Sequence, residues 1–103
     1  MSLSDLTDMH RLIHEPARLV IVTILNTAEQ ADFLFIQRET GLTKGNLSFH
    51  LTKLEDAGYV SIEKTYRGKV PLTLISLTNK GRTAFEQYRK KLIHLMEKIK
   101  KEE

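Results

Sequence analysis

The sequence predicts a mostly α-helical fold with one small antiparallel β-hairpin: two short helices joined by a tight turn, the hairpin, and a long C-terminal helix. Three observations carry this. Leu47, Leu51 and Leu54 recur at i, i+4 and i+7 between a capping threonine and a glycine. Residues 59–77 hold apolar and β-branched side chains on both sides of Arg67-Gly68-Lys69. Phe85, Tyr88, Leu92, Leu95 and Ile99 then alternate spacings of three and four, the seam of a single long helix.

The leucine helix spans about 44–57. Thr43 can accept from a free N–H of the first turn, and Gly58 can take the left-handed conformation that ends a helix. The three leucines commit one face to a core. Winding at about 100° per residue sets Gly45, Phe49, Thr52 and Lys53 opposite them, with Asn46 and Ser48 on the shoulders. Such a face suits a DNA major groove: Asn can bond an adenine edge, Ser and Thr several bases, Lys guanine or phosphate, and Phe a thymine methyl. Lys44, Gly45, Asn46, Ser48, Phe49, Thr52 and Lys53 are therefore the candidate base contacts. The plainer reading is an amphipathic helix with a solvated exterior, for which Phe49 is out of place.

Upstream, residues 32–41 (DFLFIQRETG) read as a helix capped by Asp32 and stopped by Gly41. Phe33, Ile36 and Phe35 would pack it against the leucine stripe. Helix, short glycine turn and helix make a helix-turn-helix over about 32–57. Thr43, Gln37 and Arg38 are placed to meet phosphates, which position a protein without reading sequence. Downstream, residues 59–77 form a hairpin whose tip carries Lys64, Arg67 and Lys69, and Pro71 fits an edge strand or strand start. Beside a recognition helix such a tip is a wing for the minor groove or backbone; its plainer role is to keep a hairpin edge soluble.

The first helix should cover about 4–13, with Leu6, Met9 and Ile13 on one side. Pro16 then restarts a helix running to about residue 26 that is apolar nearly all round and expected at the centre of the core, with Arg18 its surface exception. The last helix runs from its cap Thr78 to about residue 100. At 1.5 Å per residue it outruns a domain this small, leaving Leu92, Leu95, Met96 and Ile99 exposed unless a partner covers them. A homodimer is the simplest cover, with Leu6, Met9, Ile13 and Tyr88 joining those residues at the interface. Folding back on the chain's own core is the alternative.

With 103 residues and 41% hydrophobic content, the chain supports one domain over 1–103. The net charge of +3 and pI near 9.3 favour an anionic partner only through where the cations sit. There is no cysteine, so no disulfide framework or thiolate metal site. No leader pattern and no membrane-length apolar run is read, which places the expected protein in the cytoplasm. His10, His14, His50 and His94 are scattered, no triad spacing occurs, and enzymatic activity is not expected. His94 and Glu97 stand one turn apart without the further ligands a metal site needs, so neither metal nor cofactor is expected. No residue cluster identifies a small-molecule effector, and a pocket between the first and last helices stays open.

Three ordered segments give the chain a resemblance over nearly its whole length: HEPARLVIVTIL at 14–25, TGLTKGNLSFHLTKLEDAGYV at 40–60, and SLTNKGRTAFEQY at 76–88. It resembles small winged helix-turn-helix transcriptional regulators of the MarR and ArsR type. That resemblance implies that the segment 43–53 enters the major groove, that 64–69 forms the wing, and that the terminal helices build a homodimer on double-stranded DNA. A winged-helix module for protein partners and a non-specific architectural DNA binder are the alternatives.

Overall fold

The computed structural model describes residues 10–102. In chain order it holds α1 (Pro16–Thr27), β1 (Ala31–Asp32), α2 (Phe33–Thr40), α3 (Lys44–Asp56), β2 (Val60–Arg67), β3 (Val70–Leu77) and α4 (Asn79–Glu102). The expected mostly helical winged-helix architecture is observed, with one strand more than the hairpin. Asp32 is extended because it caps α2, and this conformation lets Ala31 and Asp32 pair antiparallel with Ile75 and Leu74. The sheet order is β1-β3-β2.

Pro71 therefore lies on the central strand rather than an edge. It is tolerated there because β1 reaches only Leu74 and Ile75, so β3 has no neighbour on that side at Pro71. The residue pairs Arg67↔Val70 and Tyr66↔Pro71 close the hairpin around Gly68-Lys69. Gly68 has φ 65° and no non-glycine has positive φ, the pattern of a type II′ turn with glycine first.

The core gathers Ile21, Val22 and Leu25 of α1, Ile36 of α2, the three leucines of α3, Val60, Ile75 and Leu77 of the sheet, and Phe85 and Tyr88 of α4. Helix α1 is not enclosed all round: Val20 is exposed, and Leu19 and Ile24 are only partly covered. Of the helix expected over 4–13, residues 10–13 form a single turn closed by the His14 N–H on the His10 carbonyl. The rest of that span, with Leu6 and Met9, lies outside the described residues.

Helix α4 starts where expected. The Thr78 hydroxyl accepts from the Gly81 N–H at 3.0 Å and donates to the Gly58 carbonyl at 2.6 Å, so one side chain caps α4 and ties it to the end of α3. Gly81 is buried against the chain after α3: a Cβ there would sit 2.1 Å from the Tyr59 carbonyl oxygen. Only glycine permits that approach.

The expected interface residues divide. Ile13 and Tyr88 are buried in the core and Leu95, outside that cluster, is 5% exposed, which corrects their placement at a dimer surface: their apolar area is already covered within the single chain. Leu92 is partly buried against the core. Met96 and Ile99 remain exposed, joined by Ile93 and Val20, which the heptad spacing did not select.

Candidate nucleic-acid interface

The turn between α2 and α3 is built from local chemistry. Gly41, at φ 71°, donates its N–H to the Gln37 carbonyl at 2.9 Å and ends α2, while the Thr43 hydroxyl accepts from Asn46 N at 3.1 Å and starts α3. With Leu47, Leu51 and Leu54 held in the core, the opposite face has one direction left. Lys44, Gly45, Asn46, Ser48, Phe49, Thr52 and Lys53 are all exposed. Phe49 is 54% exposed, and the Lys53 ammonium lies 5.4 Å from its ring centroid, a cation–π contact that organises both. A Cβ at Gly45 would meet nothing within 4 Å.

An open groove of about 870 Å³ separates α3 from the hairpin. Gln37, Lys44, Ser48 and Thr52 line one wall, and Lys64, Pro71 and Thr73 the other; Asp32 and Glu55 add two carboxylates. Arg38 is exposed on α2, outside this lining. Strand register sorts the wing residues. The pairs Val60↔Leu77, Ile62↔Ile75, Lys64↔Thr73 and Tyr66↔Pro71 share one face, since side chains alternate. That face enters the core at Val60 and Ile75 and reaches the groove at Lys64. Tyr66, 69% exposed, continues the row to the tip, whereas Arg67 and Val70 stand on the opposite face and Lys69 sits in the turn. Period-two alternation outward from Lys64 is the sequence signal that singles out Tyr66.

Behind α3, three ionisable side chains converge. Arg18 Nη1 lies 3.0 Å from His50 Nδ1, and Arg18 Nε donates to the Leu12 carbonyl at 2.7 Å. Glu15 Oε2 accepts from Arg18 N at 2.9 Å as the cap of α1 and stands 3.6 Å from His50 Nδ1. Arg18 is thus not the surface residue its sequence position implied. Burial acts to raise the Glu15 pKa, but the N–H groups of Arg18 and Ala17, with the His50 and Arg18 charges, outweigh it and hold the carboxyl below the usual range.

Charge is unevenly placed. Between residues 31 and 77, six cations (Arg38, Lys44, Lys53, Lys64, Arg67, Lys69) accompany five carboxylates (Asp32, Glu39, Glu55, Asp56, Glu63). Helix α4 carries eight Lys and Arg against three Glu. The excess behind the high pI therefore lies mainly on α4, while residues 31–77 are nearly balanced in charge. Among the described residues no three His, Cys, Asp or Glu side chains gather as metal ligands, and no helix is long and apolar enough to cross a membrane.

Comparison with known proteins agrees with this geometry. The family described as a winged helix DNA-binding domain matches residues 17–96. An uncharacterized protein of Methanocaldococcus jannaschii is 36% identical over 90 residues, covering 86% of this chain and 97% of that one. The solved structure of a transcriptional regulator homologue from Pyrococcus horikoshii OT3 is 28% identical and superposes with a TM-score of 0.82, covering 86% of this chain and 88% of that one. A regulator assigned to the MarR family in Enterococcus faecalis V583 shares the fold at 19% identity, with a TM-score of 0.73 and coverage of 99% and 91%.

Proposed function

We propose, from the premise that the chain belongs to the winged helix DNA-binding domain family and is MarR-like, that it binds double-stranded DNA sequence-specifically as a homodimeric transcriptional regulator. The observation that carries this reading is the outward face of α3. Gly45 sits in the first turn of a helix, where glycine costs up to about 1 kcal/mol relative to alanine, and no protein atom lies close enough to require it. A missing side chain there permits close approach by an outside surface. Around it stand Lys44, Asn46, Ser48, Phe49, Thr52 and Lys53, a set with the donors, acceptors and apolar contact that major-groove edges match.

With α3 in a major groove, one sugar–phosphate strand occupies the groove between α3 and the hairpin. Lys44 and Gln37 meet it from one wall and Lys64 from the other, Thr43 and Arg38 flank the helix start, and Arg67 and Lys69 carry the wing tip to the adjacent minor groove or backbone. A second copy packs against Met96, Ile99, Ile93 and Leu92 of α4. Two-fold symmetry then sets two α3 helices about one helical turn of DNA apart.

Selection of bound duplexes from a random pool at near-physiological salt tests this. Enrichment of an inverted repeat with half-sites about 10 base pairs apart is the expected result. Retention without enrichment would mean architectural binding. No retention would overturn DNA binding in favour of a protein partner.

A further inference from the structure

None of the three side chains of the Glu15–Arg18–His50 cluster is assigned to DNA, yet the cluster joins α1 to the helix that carries those residues and meets one of them, Phe49, through the His50 ring. The three side chains are 32%, 14% and 15% exposed, so water replaces their mutual contacts poorly. A guanidinium has five donors, no acceptor, and stays charged. The Arg18–His50 contact at 3.0 Å is therefore a hydrogen bond only when Nδ1 offers a lone pair, which puts the single ring proton on Nε2. Glu15 at 3.6 Å from Nδ1 is the weaker neighbour while the ring is neutral.

We propose that Arg18 and His50 are positioning residues for the base-reading face of α3: Arg18 holds His50 as the neutral Nε2–H tautomer and through that bond fixes α3 against the start of α1. This rests on the reading of α3 as the DNA-reading helix. The His50 ring stands edge-on to Phe49 at 5.3 Å, so its orientation is passed to the exposed aromatic, and Phe49 in turn carries Lys53.

Protonation of His50 removes the acceptor and sets an imidazolium beside the guanidinium. The charged groups facing it are Arg18 within α1 and Glu15 at its cap; on its own helix the nearest cation in this chain of contacts is Lys53, over Phe49. Nδ1–H then turns to Glu15 Oε2, and Arg18 keeps only the Leu12 carbonyl and its exposure to Glu15 at 4.0 Å. The positioned face loosens while positive charge increases. Base discrimination falls, and phosphate attraction, which needs no fixed register of base contacts, does not.

The test uses the full chain, the duplex enriched from the random pool and a scrambled duplex of equal length, at fixed salt from pH 7.5 to 5.5. The affinity ratio between the two duplexes is expected to fall about tenfold across that range as His50 gains its second ring proton. His50→Gln, whose side-chain carbonyl can accept from Arg18 but cannot titrate, keeps the ratio and loses its pH dependence. Arg18→Ala lowers the ratio at pH 7.5 and flattens the profile. Nitrogen NMR of the DNA-free wild type at pH 7.5 reads the tautomer without any variant, and Nε2–H is expected. An Nδ1–H tautomer overturns the bond whatever the DNA result, and a pH-independent wild-type ratio overturns the positioning role. Wild-type chain that binds neither duplex sinks the DNA reading and the positioning role with it, while the tautomer still judges the Arg18–His50 bond on its own.

Discussion

His14 Nδ1 lies 2.6 Å from the Tyr88 hydroxyl, joining the segment ahead of α1 to the middle of α4. His10 Nε2 makes a matching bond to the Tyr59 hydroxyl at the end of α3. Two imidazole–phenol pairs thus strap residues 10–14 over both ends of the core, which explains why Ile13 is an interior residue and not an interface one.

Tyr88→Phe should lower the unfolding free energy by about 1 kcal/mol, the net worth of one hydrogen bond whose remaining partner can reach water. Burial pushes the Tyr88 phenol above its ordinary pKa. The unfolded chain consequently loses this proton first as pH rises, so the contribution is fully present below about pH 10 and declines as pH climbs through the raised folded value. Denaturant midpoints across pH 8 to 11 should show that decline in the wild type and a shallower one in the variant.

Gly45→Ala should separate stability from binding. Alanine suits an open helical position, so the thermal midpoint should rise in line with a gain of up to about 1 kcal/mol. The added methyl stands on the face proposed to meet DNA, and affinity for the enriched duplex should fall roughly tenfold or more, about the discrimination one base contact provides. Gain of stability with unchanged affinity would remove Gly45 from the contact face.

Gly81→Ala is the opposite case. Its Cβ has backbone rather than a flexible side chain to displace, so α4 must move away from Tyr59, at a cost of about 1–3 kcal/mol. Urea unfolding compares it directly with Gly45→Ala, and the two glycine substitutions should carry opposite signs.

Glu15→Ala removes the cap of α1, expected to cost about 1 kcal/mol near neutral pH. Because the folded carboxyl sits below its ordinary range, the stabilisation is present above that range and is lost as pH falls through the lowered value. Wild type and variant should converge in stability on the acid side.

Met96→Glu tests the proposed assembly. The side chain is 62% exposed, so a charge there should leave the single chain folded. It should shift sedimentation from dimer toward monomer and, by splitting the two half-site readers, weaken binding to an inverted repeat far more than to a single half-site.

Much of the site was legible in one dimension because its devices are local. Thr43 meets Asn46, Asp32 meets Phe35 and Gly41 meets Gln37, each within four positions. The leucine period then leaves the outward face of α3 no choice. The wing tip was legible as a basic turn, but its division into a Lys64–Tyr66 face and an Arg67–Val70 face follows from register, which depends on where Gly68 places the turn. Arg18 gave no warning: a lone arginine in an apolar helix looks like a snorkelling surface residue until His50, 32 positions away, comes within 3.0 Å.

The sequence by itself determined the order and kind of the elements, their caps, and which face of α3 turns outward, because those choices rest on interactions within one or two helical turns or across one tight turn. Tertiary structure alone decided that Ala31 and Asp32 add a strand to β3, that Ile13, Tyr88 and Leu95 are covered while Val20, Ile93 and Met96 are not, and that Glu15 and Arg18 stand behind α3. Periodicity names an apolar face but not what lies against it; that is set by how distant helices stack, and only the packed chain brings residues dozens of positions apart to within a hydrogen bond.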